Sequence, residues 1–196
     1  MRSGELRKVQ GNMRIFVTGT GRCGSVTFSR ACRHATNYTV GHETHTNKRV
    51  DGKMVGDILN LEYPDDHIEV SPQLAIQIPL LRDRYPDARF VHLVRADRDA
   101  CARSLAGRSD MRAFARYNFL SEGDDFEAVS YAIYDTMRST IDDALAGLYA
   151  RAQATRLELE IIKTHWRHFW AWIKAEGDFD ASLAEWNRRY NRGKNW

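Results

Sequence analysis

The chain has 196 residues, 43% hydrophobic and 28% charged, with a formal net charge of +3. Such a composition is ordinary for one soluble globular domain with a sizeable core, and the charge is too small to make nucleic acid the main partner. Cys23, Cys32 and Cys101 form no CxxC pair and leave an odd thiol, which favours a reducing compartment over a disulfide framework. No apolar run would span a bilayer, and the first ten residues lack the apolar core of a signal peptide, so a cytoplasmic protein without a membrane partner is expected.

Met1 to Asn12 is polar and reads as a flexible arm. Arg14 to Thr18, RIFVT, is a β-branched apolar run, as in a buried strand. Gly19, Gly21 and Gly24 follow, and Ser25 to His34 reads as a helix. Strand, glycine loop and helix start turn backbone N–H groups toward an anion, and the helix end adds a partial positive charge. The stretch Gly21, Arg22, Cys23, Gly24, Ser25, Val26, Thr27 therefore reads as a phosphate cradle, with Arg22 as a cation in its wall. Ser25 and Thr27 equally suit helix caps, since capping and phosphate binding use the same geometry. Cys23 reads as a small loop residue rather than a nucleophile.

Tyr38 to Gly41 reads as a second strand, with His42-Glu43-Thr44-His45 at its C-terminal end. Those residues suit a metal cluster, a solvated loop or a catalytic base; no fourth metal ligand is identifiable. Lys48 to Lys53 reads as an exposed loop, and Met54 to Leu61 is ambiguous. His67 to Val70 reads as a third strand, and Ser71-Pro72 starts a helix that runs from Gln73 to Arg84. Arg89 to Val94, RFVHLV, is the second clear buried strand, followed by a helix from Ala100 to Leu105. Arg108 to Asp125 reads as a lid or substrate loop. Then come a long helix from Phe126 to Ala152, a short fifth strand from Leu157 to Ile161, a helix from His165 to Lys174, and a last helix from Asp180 to Tyr190 capped by Asp180. Trp166, Phe169 and Trp170 read as core; Asp142-Asp143 and Asp124-Asp125 read as solvated faces or caps. This alternation predicts one α/β domain over residues 1–196, with a mostly parallel sheet of about five strands and helices on both faces.

Several anion loops share the layout of Gly19 to Thr27. A Walker A loop needs a lysine where Ser25 stands. A cysteine phosphatase loop needs an arginine where Ser29 stands. A dinucleotide fingerprint is literally present as Gly19, Gly21, Gly24, with Glu43 placed for a ribose. That leaves a nicotinamide-dependent oxidoreductase as one reading, and a non-catalytic nucleotide-binding module as another.

The second motif is RFVHLVRADRDACARSL. Arg95 ends a buried strand and Ser104 lies in the helix beyond it, an arrangement suited to a second phosphate. Together with Arg22-Cys23-Gly24-Ser25-Val26-Thr27 and the stretch from Ile68 to Arg95, it resembles the sulfotransferases that use 3′-phosphoadenosine 5′-phosphosulfate (PAPS). The resemblance runs from Arg14 to Leu105, with Arg192-Gly193-Lys194 similar to a family segment that closes over the 3′-phosphate. It implies a P-loop kinase-like strand order, 2-3-1-4-5. It also implies PAPS as co-substrate without a metal, and a small-molecule or carbohydrate acceptor. The first loop would hold the 5′-phosphosulfate; Arg95 and Ser104 would hold the 3′-phosphate. The family's serine usually stands where this chain has Arg103, so Arg103 is an alternative to Ser104. Arg22, with Glu43 or His45 as the base, would be catalytic.

Overall fold

The structure is a computed structural model that describes residues 13–45, 49–50, 53–54, 60–107, 125–188 and 190. The expected arm at 1–12, most of the expected lid (108–124) and the segment 192–194 lie outside the described residues. Five strands form one sheet: β1 (Arg14–Thr18), β2 (Thr39–His42), β5 (His67–Val70), β6 (Arg89–Val94) and β7 (Ala154–Glu158). They are all parallel, in the order β2-β5-β1-β6-β7. Counted along the chain, these are the second, third, first, fourth and fifth sheet strands, the order expected. Between β2 and β5, β3 (Arg49–Val50) and β4 (Lys53–Met54) pair as a two-stranded antiparallel ribbon, where an exposed loop was expected.

Helices cover both faces. On one, Ile15, Val17, Ile68, Val70, Val91 and Leu93 pack with Phe28 and Ala31 of α1 (Ser25–Cys32) and with Trp166 and Phe169 of α5 (Ile162–Trp172). On the other, Phe16 and Phe90 pack with Ile78 and Leu81 of α2 (Ile78–Arg84) and with Ile141, Leu145 and Leu148 of α4 (Phe126–Tyr149). Side chains of a strand alternate between faces, and a sheet covered on both must be apolar at nearly every position. That is why RIFVT and RFVHLV read so clearly. Trp166, fully buried, meets Phe28 edge-on at 5.2 Å and Trp186 at the same distance, and its indole N–H donates to Ser182 Oγ at 2.9 Å. Trp166, Phe169 and Trp170 are all core, as expected.

Three local expectations shift. The helix expected from Gln73 to Arg84 is a 3-10 turn over Pro72–Gln77 followed by α2. Pro79 accounts for the break, because it has no N–H to donate and its ring crowds the preceding turn. The fifth strand lies at Ala154–Glu158, and a 3-10 turn over Leu159–Ile161 takes the C-terminal part of the stretch expected to be strand. The last helix, α6 (Phe179–Ala184), is capped by Asp178, not Asp180; the Asp178 side chain accepts from the Ala181 N–H. α3 (Arg98–Ala106) begins with Asp97 as its cap, accepting from Ala100 N at 2.8 Å. Among the described residues no helix is long and apolar enough to cross a membrane.

Candidate functional site

The loop between β1 and α1 is wound unusually. Gly21, Arg22 and Gly24 all take left-handed backbone angles, with φ of 81°, 56° and 90°. Left-handed residues set next to right-handed ones, as Gly24 is beside α1, curl successive N–H groups inward into an anion-binding concavity. Arg22 bears the side-chain crowding of that conformation, which glycine escapes. Gly24 is the N-cap of α1 and offers no side-chain acceptor, so the first amides of the helix receive no cap from it. Ser25 and Thr27 therefore lie inside the helix rather than capping it. The loop also hugs its neighbouring strand: a Cβ on Gly19 would stand 2.3 Å from the Leu93 carbonyl oxygen of β6.

Strand pairing brings the second motif to this loop. β1 and β6 are hydrogen-bonded neighbours, with Thr18 opposite His92. Arg22 Nε donates to Ser104 Oγ of α3 at 2.8 Å, across 82 residues of sequence. Cys101, one turn earlier on α3, donates its thiol to the Gly21 carbonyl at 3.3 Å. Burial pushes the Cys23 thiol up to about 12, with Cys101 adding to the rise, so Cys23 is not a thiolate at neutral pH. Arg95, half-buried at the end of β6, acts electrostatically on both thiols, and its carbonyl accepts from Tyr134 Oη at 2.7 Å. Arg103 is exposed in the last turn of α3. Of the two alternatives in this helix, Ser104 is the one bonded into the loop.

Beyond Arg95, the amides of Ala96 and Asp97 are taken by a carboxylate of the chain itself. Glu160 accepts from them at 3.0 and 3.2 Å. Partial burial raises its carboxyl pKa, but the amide donors and Arg95 outweigh that and hold it below the ordinary range.

The third component is the end of β2. His42 directs its ring to the α1 side, with Nε2 3.3 Å from Ser25 Oγ. Glu43, at φ 54°, turns the chain, and its N–H donates to the Val70 carbonyl at 3.0 Å. Thr44 is bonded to Glu69 on β5, through its N–H at 2.9 Å and its hydroxyl at 2.7 Å. His45 donates from Nε2 to the Glu62 carbonyl at 3.0 Å, its ring 4.8 Å from that of Tyr63. Among the described residues, no three His, Cys, Asp or Glu side chains come together as a metal-holding group.

The fold therefore joins Arg22, Ser104 and the cradle, sets Arg95 at the end of the adjacent strand, and sets Glu43 one strand beyond β5. Sequence reasoning did not single out Glu160, whose 3-10 turn lies 64 residues from Ala96. It took His42 only as a cluster member, although strand alternation from Val40 would have set it facing α1. No protein-family model matches the chain, and no curated protein matches it.

Proposed function

We propose that the protein is a sulfotransferase that moves a sulfuryl group from PAPS to the hydroxyl, or amine, of a small-molecule or carbohydrate acceptor. The observation that carries this reading is the Arg22–Ser104 hydrogen bond. It makes one site of two anion motifs that are far apart in sequence. A nucleotide carrying phosphates at both its 5′ and 3′ positions has the two anionic ends such a site would take.

In this reading the cradle from Gly21 to Thr27 holds the 5′-phosphosulfate through backbone N–H groups and the Arg22 guanidinium. Arg95, with Ser104 or Arg103, faces the 3′-phosphate. The acceptor oxygen attacks sulfur as the bond from sulfur to the 5′-phosphate oxygen breaks in line. The acceptor's proton passes to Glu43 or His45, and adenosine 3′,5′-bisphosphate leaves with the bonding pair. Arg22 and the loop amides stabilise the charge gathering on the leaving oxygen.

The strand order supports this reading over a nicotinamide-dependent oxidoreductase. In a dinucleotide fold the ribose-binding acid ends the strand beside the glycine loop's strand. Here β5 separates β2, and with it Glu43, from β1.

Calorimetry tests the proposal. Adenosine 3′,5′-bisphosphate should bind more tightly than adenosine 5′-monophosphate, and NADH should bind weakly or not at all. Arg95→Ala should weaken the bisphosphate about ten- to hundredfold, the value of one charge-assisted contact. Equal affinity for the two adenosine nucleotides, or preference for NADH, would reject it.

A further inference from the structure

We infer that Glu69 is a positioning residue, holding the turn that carries Glu43 and His45 at the C-terminal edge of the sheet; the inference rests on the sulfuryl-transfer reading above. Glu69 is 1% exposed, in register with Phe16 on one side and Gly41 on the other. A carboxylate there is costly unless its oxygens are hydrogen-bonded. Three donors satisfy it. Oε1 accepts from the Thr44 N–H at 2.9 Å; Oε2 accepts from the Thr44 hydroxyl at 2.7 Å and from His67 Nε2 at 3.2 Å. The other nitrogen of His67 lies 2.8 Å from Thr39 Oγ1. Two of the three donors thus come from Thr44, the residue between Glu43 and His45.

The neighbouring strand is shaped around this contact. A Cβ on Gly41 would stand 2.0 Å from Glu69 Oε2 and 2.3 Å from Thr44 Oγ1, so any side chain at 41 would displace both groups. The turn itself is one that needs holding. Glu43 has φ 54°, a left-handed conformation that a residue with a side chain holds only when its surroundings fix it there. Replacing buried ionic groups with apolar ones is often neutral for stability. Here an apolar residue would instead leave the Thr44 N–H and hydroxyl without their acceptor, which ties the acid to this turn. Glu69 does not touch the reacting atoms; it acts through Thr44.

Four variants test this: Glu69→Gln, Thr44→Val, Thr44→Ser, and the double variant that joins Glu69→Gln with Thr44→Val. Glu69→Gln leaves only one acceptor oxygen for three donors, and Thr44→Val removes the hydroxyl but keeps the amide. The measurements are amide hydrogen exchange at Glu43, Thr44 and His45, the dissociation constant of adenosine 3′,5′-bisphosphate, and single-turnover consumption of PAPS with p-nitrophenol or water as acceptor. Glu69→Gln and Thr44→Val should speed exchange in the turn by about tenfold. They should also slow turnover about ten- to hundredfold, because displacing a reacting group costs that much. Nucleotide affinity should stay within about twofold, since the cradle is untouched. Thr44→Ser should behave as wild type, and the double variant should be no slower than Glu69→Gln alone.

Unchanged exchange in both disruptive variants would overturn the inference. So would nucleotide affinity falling in step with rate, which would mark a general structural role. Thr44 is exposed, so Thr44→Val carries the test if Glu69→Gln does not fold. Wild-type protein that neither binds the bisphosphate nor consumes PAPS would reject the sulfuryl-transfer reading, and the positioning role with it. Wild-type activity that survives both disruptive variants would reject the positioning role alone.

Discussion

Arg22 combines a strained backbone with a side chain fixed by Ser104. Its guanidinium has five N–H donors in a planar fork, of which Nε is turned to the serine. Arg22→Ala should therefore lower the single-turnover rate by about 10²–10³-fold, the usual cost of one donor to a developing oxyanion, and weaken nucleotide binding less. Arg22→Lys keeps the charge but cannot reproduce the fork, so it should recover only part of the rate. A lysine variant with the wild-type rate would reduce Arg22 to a point charge. His92 makes a different prediction. It is fully buried on β6, and Nδ1 donates to Asp142 at 2.9 Å. Asp142 is thus a buried histidine's partner as well as a helix-face residue. Burial lowers the His92 pKa from 6.5, with Arg156 and Arg138 adding to the fall, and Asp142 opposes without reversing it. The folded protein then binds that proton less readily than the unfolded chain. Its stability contribution is full above pH 6.5 and declines as pH falls toward the lowered folded value. Urea midpoints measured from pH 7 to pH 5 should fall for wild type and fall less for His92→Asn. Parallel curves would show that other groups carry the acid limb.

The turn between β6 and α3 is defined by a group far from it. Glu160 takes the amides of Ala96 and Asp97, next to the Arg95 proposed to meet a 3′-phosphate. A carboxylate near a phosphate repels it by about 1 kcal/mol at 4 Å in water. Glu160→Gln should then tighten adenosine 3′,5′-bisphosphate binding roughly fivefold, the equivalent of that energy. It should leave adenosine 5′-monophosphate unchanged. Equal gains for both nucleotides would mean that Glu160 acts on the fold rather than on the 3′ end. Glu160 also marks where sequence reading stopped. Strands β1, β5 and β6 were legible to the residue: β1 and β6 because burial on both faces keeps them mostly apolar, and β5, which carries the buried polar His67 and Glu69, because Ser71-Pro72 marks its end. β7 lies at the sheet edge and has Thr155 and Arg156 in its middle, while the alternation of Leu157, Leu159 and Ile161 with Glu158 and Glu160 just beyond it has the period of a strand. The cradle was legible because its glycines are local. The Arg22–Ser104, Glu69–Thr44 and Glu160 contacts were not, since each joins residues from separate elements that only sheet order brings together. Pro79, by contrast, was visible in the sequence, and its effect on the turn before α2 follows from its missing N–H.

In the sulfuryl-transfer reading, sheet order sets which end of the nucleotide meets which strand. β1 lies between β5 and β6, so the cradle loop has the turn bearing Glu43 and His45 toward one side and Arg95 toward the other. An extended nucleotide bound with its 5′ group in the cradle would reach its 3′ end toward β6, and the acceptor would enter from the β5 and β2 side. The two arginines then report on different ends. Arg95→Ala should reduce the ratio of affinities for adenosine 3′,5′-bisphosphate and adenosine 5′-monophosphate to near one. Arg22→Ala should weaken both nucleotides together and leave the ratio as in wild type, since both carry a 5′-phosphate. Thermal unfolding offers a second readout, because a ligand at a hundred times its dissociation constant adds about 2.7 kcal/mol to stability. At matched nucleotide concentration, the extra stabilisation given by the bisphosphate should vanish in Arg95→Ala and persist in Arg22→Ala. The opposite pattern, with discrimination lost in Arg22→Ala, would reverse the nucleotide in the site, put the 3′-phosphate in the cradle, and move the transferred group to the β6 side, away from Glu43 and His45.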